Sequence, residues 1–240
     1  MERRKPNKAR GRRRRPDERK GGFNRENDLE SWKPRTALGR AVKSGEIKSI
    51  DEILSSGMEI RESEIVDSLL PDLEIEFIPI GQSKGKFGGG KRRIYRVTQK
   101  TTAEGQTVKF TVLAIAGNSS GYIGMGSASS GETVPTRKKA EKEAKLSLFK
   151  VGLGCGSWEC SCADPHSLPF AVKGGAGSVE VTLKPAPKGT GLAVNDTCKQ
   201  ILSIVGIKDT WAFTRGQTQT RINLAKATFN ALKQLRSTKL

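Results

Sequence analysis

Aromatic residues make up only 5% of the 240 positions, and histidine occurs once. So few rings argue against a partner recognised mainly by base stacking. The four cysteines are too few for a disulfide scaffold, which fits a reducing cytosol. No run of about eighteen apolar residues offers a membrane span. The Arg-rich start lacks the apolar segment and small-residue cleavage site of a secretory leader. Also missing are a pair of pocket carboxylates and a nucleophile–His–acid set, so hydrolytic chemistry has no visible machinery. Acids are scarce too, with 25 Asp and Glu against 43 Lys and Arg, a formal net charge of +18 and a pI near 10.0. Such an excess opposes compaction unless a polyanion neutralises it, and nucleic acid is the commonest such partner.

The positive charge is organised. Residues 1–33 form an arm in which Arg3-Arg4-Lys5 and Arg12-Arg13-Arg14-Arg15 alternate with Pro6, Gly11, Pro16 and Gly21-Gly22. An arm so poor in apolar residues cannot offset its own ordering entropy and is expected to be disordered until bound. A second concentration is Gly81-Gln-Ser-Lys84-Gly-Lys86-Phe-Gly-Gly-Gly-Lys91-Arg92-Arg93, which holds no acid. Its glycines let backbone amides approach a ligand, and its Lys and Arg offer charge to phosphate. A nucleic-acid loop and a merely solvated hairpin tip both fit. A nucleotide-hydrolase loop does not, although Gly85 and Gly90-Lys91 have its spacing. Arg92 stands where a magnesium-binding hydroxyl belongs, and a strand rather than a helix follows.

Along the chain, residues 34–72 read as a helical extension, with Ser49 and Glu52 in capping-box spacing and Pro71 closing a second helix. Residues 73–151 read as a compact domain. Alternation and β-branched content predict strands near 74–80, 92–98, 107–116 and 122–125, then a helix over 135–150. In that helix Ala140, Ala144 and Leu148 share one face. Lys138, Lys142 and Lys145 line another, beside Arg137 and Lys139. Most of these cations sit in the first half, where the helix dipole opposes them, an arrangement that makes sense if phosphates approach that end.

Residues 152–168 form a linker with its own chemistry, Cys155-Gly-Ser-Trp-Glu-Cys160-Ser-Cys162-Ala-Asp-Pro-His166. Three thiols and the lone imidazole are a sufficient donor set for one structural zinc ion, although the C-x4-C-x-C-x3-H spacing is not a common knuckle. Free thiols and a redox pair are the other readings. No cofactor is required. Residues 169–240 read as a β-β-α-β-α unit: strands at 170–173 and 178–183 joined by Gly174-Gly-Ala-Gly177, a basic loop around Lys188, a helix over 196–206 with Cys198 in its apolar face, a strand at 210–213 and a closing helix. The expected class is therefore α+β.

Several segments together resemble one family. Gly88-Gly-Gly-Lys-Arg-Arg93, Gly117-Asn-Ser-Ser-Gly-Tyr-Ile-Gly124, Lys138-Lys-Ala-Glu-Lys-Glu-Ala-Lys-Leu146, Pro185-Ala-Pro-Lys-Gly-Thr-Gly191 and Asn223-Leu-Ala-Lys-Ala-Thr-Phe-Asn-Ala231 look like the universal S-five family of small-subunit ribosomal proteins, called S-two in eukaryotes. Cys155-Gly-Ser-Trp-Glu-Cys160 and Pro165-His-Ser-Leu-Pro169 point to its archaeal type. The resemblance implies a non-enzymatic protein with a double-stranded-RNA-binding-like domain and a second ribosomal domain. It also implies cytoplasmic small subunits, rRNA and neighbouring ribosomal proteins as partners, and an influence on assembly and decoding accuracy. It assigns rRNA contact to the loop around residues 84–93 and to a turn at residues 121–126. The RNA-binding candidates are thus Lys84, Lys86, Lys91, Arg92, Arg93, Arg137, Lys138, Lys139, Lys142, Lys188 and Arg12 to Arg15. Two other readings stand beside it. One is a free-standing double-stranded-RNA binder. The other is a small-molecule kinase with its glycine loop at residues 185–191, although Leu192-Ala-Val follows that loop where such kinases have a Ser-Ser pair.

Overall fold

The computed structural model describes residues 32–83, 85, 92–162 and 164–236. Arg12 to Arg15, Lys84, Lys86 and Lys91 lie outside the described residues. From Pro34 onward the chain forms one compact unit. Three short helices come first: α1 (Ala37–Ser44), α2 (Ile50–Ser55) and α3 (Ser63–Leu69). Thr36 caps α1 by accepting from the Gly39 amide at 3.0 Å. Ser49 and Glu52 bond to each other at 2.7 Å rather than closing a capping box on the backbone.

A sheet follows, built on a long central strand. Strand β3 (Gly105–Asn118) pairs along one edge with β4 (Tyr122–Ser130), which pairs with the short β5 (Phe149–Lys150). Its other edge is shared end to end by β1 (Glu74–Phe77) and β2 (Arg96–Thr102). Helix α4 (Thr133–Leu146) lies across β3 and β4. It can do so because β4 is bare at Gly124 and Gly126. A Cβ there would stand 2.0 Å from the Ala144 carbonyl oxygen and 2.3 Å from the Ala144 amide nitrogen. The predicted turn at residues 121–126 is therefore a correction. Ser119 and Ser120 form the exposed tip, Gly121 closes the turn with a φ of +94°, and Tyr122 to Gly124 are buried strand. Helix α4 also stops sooner than its pattern implies, and Lys150 belongs to β5.

The second sheet has the order β6-β7-β9-β8, from β6 (Val172–Ala176), β7 (Val179–Pro185), β8 (Leu192–Ala193) and β9 (Thr210–Arg215). Strands β8 and β9 run parallel, joined through α5 (Asp196–Val205). The closing helix α6 (Arg221–Lys233) packs on β6 and β7. The glycines expected to turn between β6 and β7 are inside β6. Gly174 lies directly under α6, where a Cβ would meet the Ala227 carbonyl at 2.2 Å. The turn itself falls at Gly177, whose φ is +60°.

The two sheets share one apolar core. Ile115, Ile123 and Phe149 of the first join Ile201 and Val205 of α5 and Phe229 of α6, the helices of the second, in one cluster. Phe149 and Phe229 meet edge to face at 5.0 Å between centroids. Each fully buried side chain of this size contributes roughly 1.5–3 kcal/mol. Cys198, fully buried against Thr228, is part of that core. Among the described residues no helix is long and apolar enough to cross a membrane.

Candidate RNA-binding surfaces and a candidate metal centre

Three cationic elements converge on Tyr95. The phenol ring packs edge-on to Phe110 of β3 at 6.2 Å, and the Arg137 guanidinium lies 4.9 Å above it. Arg137 also stands 5.7 Å from the Phe77 ring. It is half-buried and stacked, which suits a residue that fixes the start of α4 rather than one reaching freely for phosphate. Its neighbours Lys138, Lys139 and Lys142 are solvent-accessible to differing degrees, and Lys142 approaches Glu64 at 3.9 Å. Lys145, read from the sequence as another surface cation, is buried and bonded to Asp67 at 2.6 Å.

On the other side of Tyr95 stands the stem of the glycine-rich loop. Ser83 and Arg92 form an antiparallel bridge, and the Gly81 amide donates to the Arg93 carbonyl at 2.8 Å. A side chain at position 81 would place its Cβ 2.1 Å from the Tyr95 carbonyl oxygen. Arg92 is half-buried and Arg93 exposed. Burial, together with the charge of Arg92, lowers the pKa of Arg221, so two guanidinium groups lie within electrostatic reach of each other here.

The third element was not anticipated as a site. Residues 105–109 of β3 pair with β2 but have no partner on β4, whose pairing begins at Phe110. Every residue of β2 is exposed. Strands β2 and β3 thus leave the sheet as a two-stranded ribbon bearing Lys100 and Lys109 against the single acid Glu104, with Arg96 at its base inside the sheet. A two-stranded ribbon alone is marginally stable in water, which marks it as a surface that gains from a partner. Its sequence signal is the pair of polar, β-branched runs flanking Ala103-Glu104-Gly105.

The linker carries a second cluster. Cys155, Cys160, Cys162 and His166 bring their donor atoms within 4.8 Å of one another. The Cys160 and Cys162 sulfurs are 2.9 Å apart, and Cys162 lies 3.5 Å from Cys155. His166 Nε2 is 3.1 Å from Cys162 and 3.7 Å from Cys160. Tetrahedral sulfurs bound to one zinc ion at about 2.3 Å stand roughly 3.8 Å apart, so three sulfurs and one nitrogen fit a single ion with small adjustment. The hydrogen bond from Cys162 pulls the Cys160 thiol down to about 6, while Cys162 is pushed up to about 11. One proton of the pair is thus already loosely held, as a thiolate ligand requires. The His166 ring is buried and its Nδ1 faces the Asp209 carboxylate at 2.8 Å. A carboxylate behind a ligating imidazole is the usual outer support of a metal site.

Asp209 reaches further. Its other oxygen accepts from the Gly189 amide at 3.1 Å and the Gly191 amide at 2.8 Å. These are the amides a kinase-like glycine loop would aim at phosphate, and here a carboxylate holds them. Lys188 of the same loop pairs with Asp164 at 2.8 Å, which raises the lysine pKa and lowers that of the acid. An open cavity of about 610 Å³ lies beside these groups.

Two family models match the chain. Ribosomal protein S5, N-terminal domain, matches residues 93–152, and ribosomal protein S5, C-terminal domain, matches residues 174–239. The first begins at Arg93, so it includes the β2–β3 ribbon and leaves out residues 84–91. The Cys155–Cys160–Cys162–His166 cluster lies between the two matches. The chain is 50% identical over 208 residues to small ribosomal subunit protein uS5 of Nanoarchaeum equitans, covering 87% of this chain and 89% of that protein. It is 51% identical over 206 residues to the uS5 of Methanospirillum hungatei JF-1, covering 86% and 93%. With the uS5 of Aeropyrum pernix it shares 46% over 206 residues, covering 86% and 88%. With both domains in order around the shared core and relatives this similar along most of its length, the chain belongs to the ribosomal protein S5 family, archaeal type.

Proposed function

We propose that the protein is a structural, non-catalytic constituent of the small ribosomal subunit, bound to rRNA and neighbouring ribosomal proteins, and that it carries one structural zinc ion. The observation that carries the RNA assignment is the convergence on Tyr95 of the loop stem, the start of α4 and the bare ribbon. Duplex RNA offers a wide minor groove and ladders of phosphate read by shape. Exposed cations on rigid strands and on a helix start, with few rings, suit that target. Arg93, Lys138, Lys139 and Lys142 are exposed on the loop stem and helix, Arg96 at the base of the ribbon, and Lys100 and Lys109 on the ribbon itself. Arg92 and Arg137 shape the surface from below. Lys84, Lys86 and Lys91 of the glycine-rich sequence, Arg12 to Arg15 of the N-terminal sequence and Lys188 of the second domain would extend the contact.

Zinc is supported by the donor set and by the carboxylate behind His166. Cys155, Cys160, Cys162 and His166 would hold it in a closed site, and its contribution is structural, pinning a linker that has little core of its own. The test of the main reading is sedimentation. A tagged chain expressed in a related archaeon should travel with small subunits through a high-salt sucrose gradient. Release at modest salt, with retention of duplex RNA binding, would favour a free-standing RNA-binding factor instead.

A further inference from the structure

Residue 209 joins two parts of the chain that sequence keeps apart. One oxygen of its carboxylate faces His166 Nδ1 at 2.8 Å, across 43 residues. The other accepts the amides of Gly189 and Gly191. Both side chains of the His166–Asp209 pair are deeply buried, with 5% and 6% relative exposure. A carboxylate can only accept, so the imidazole proton sits on Nδ1 and the Nε2 lone pair turns toward Cys162 and Cys160. The backbone of Asp209 is fixed separately. Ser167 Oγ donates to its carbonyl, and the Lys208 and Asp209 amides donate to the His166 carbonyl at 3.0 and 3.3 Å.

We infer that Asp209 is a positioning residue that couples metal occupancy of the Cys155–Cys160–Cys162–His166 cluster to the conformation of the loop at residues 187–191. The inference rests on the zinc reading above. An ion on Nε2 locks the ring and its Nδ1–H. That holds the carboxylate, which in turn holds both glycine amides and the placement of Lys188 beside them. Coupling of this kind is reciprocal, so whatever orders the loop also favours the ion.

Asp209→Asn separates this role from simple packing, because the amide keeps the shape but has one acceptor and one donor group. If its oxygen serves the two glycines, its NH2 faces Nδ1. The ring then takes the Nε2–H tautomer, which cannot ligate. If the amide is turned over, the NH2 opposes two amide donors and the loop loses its anchor. Either way one side of the link breaks, while the backbone bonds of residue 209 remain.

The experiment uses the full chain and zinc alone. Zinc affinity is measured by competition with a chromogenic chelator, and amide hydrogen exchange is followed at Gly189 and Gly191. D209N should either bind zinc about 10- to 100-fold more weakly or, with the amide turned over, exchange faster at both glycines. Stripping zinc from the wild type, or removing a ligand with C162S while leaving Asp209 intact, should speed exchange at both glycines. D209N with both zinc affinity and glycine exchange unchanged, or wild-type exchange at the two glycines indifferent to zinc, would overturn the coupling and leave the metal reading standing. A wild-type chain that takes up no zinc would overturn both.

Discussion

Asp67 and Lys145 meet at 2.6 Å with their side chains only 13% and 11% exposed, across 78 residues of sequence. This ion pair fastens α3 to α4, tying the helical extension to the helix that bears much of the positive surface. Removing one partner leaves a buried, uncompensated charge. Asp67→Ala should therefore destabilise the protein by about 3–5 kcal/mol. A paired replacement by apolar residues, Asp67→Leu with Lys145→Met, should cost far less. Urea denaturation of the three proteins checks this, and equal losses would contradict it.

A second tie has a pH signature. Asp51 accepts from the Tyr122 hydroxyl at 2.7 Å and from Lys150 at 2.8 Å. Burial works against ionising Asp51, yet the bonds from Lys150 and Tyr122 outweigh it and hold its pKa below the ordinary aspartate value. The hydrogen bond to Asp51 raises Lys150 above the ordinary lysine value. The folded state thus binds the Asp51 proton more weakly than the unfolded chain does. That stability is present above about pH 4 and is lost as pH falls through the depressed value. The Lys150 part is fully present below its unfolded pKa and is lost as pH rises through the elevated one. Both side chains are about half exposed, so the effect is modest. Asp51→Asn should flatten the acid limb of the urea midpoint plotted against pH, and an unaltered limb would contradict the assignment.

The fit of α4 on glycine predicts sharp intolerance. At Gly124 or Gly126 an alanine Cβ would overlap the helix backbone at 2.0 or 2.3 Å. Each substitution should cost about 1–3 kcal/mol by forcing α4 outward. RNA affinity should fall with it, although both glycines are buried beneath α4. Alanine at Gly131, which has nothing within 4 Å, should be silent in both assays.

The RNA surface predicts a salt effect. Lys138→Ala with Lys139→Ala, or Lys100→Ala with Lys109→Ala, should weaken binding at all sequences alike. For every phosphate that a removed lysine had neutralised, the slope of log K against log salt should become shallower by roughly 0.7–0.9. Filter binding to an rRNA fragment over a salt series measures it. An unchanged slope would remove that element from the interface.

Much of the architecture was legible locally, because periodicity reports burial directly. Ala140 and Ala144 lie on the buried face of α4 and Cys198 lies in the core, as their spacing indicates. What escaped were relationships between distant segments. Lys145 reads as one more surface lysine until Asp67 arrives from 78 residues earlier. Gly174 reads as a turn glycine, whereas it exists for close approach to α6. Asp209 carries no local signal, since its partners lie 18 to 43 residues away. The four candidate metal donors, by contrast, fall within a dozen positions and could be named at once. The ribbon was only partly visible: the expected strands 92–98 and 107–116 stop short of residues 99–106, and the departure from the sheet is hidden in the pairing register.

The most direct test of the account is to crosslink small subunits carrying a photoreactive residue at position 100 of the ribbon and map the adducts. The account predicts crosslinks to discrete rRNA nucleotides, abolished by dissociating the subunit. Crosslinks only to protein, or none to RNA while the chain remains in the subunit, would contradict it.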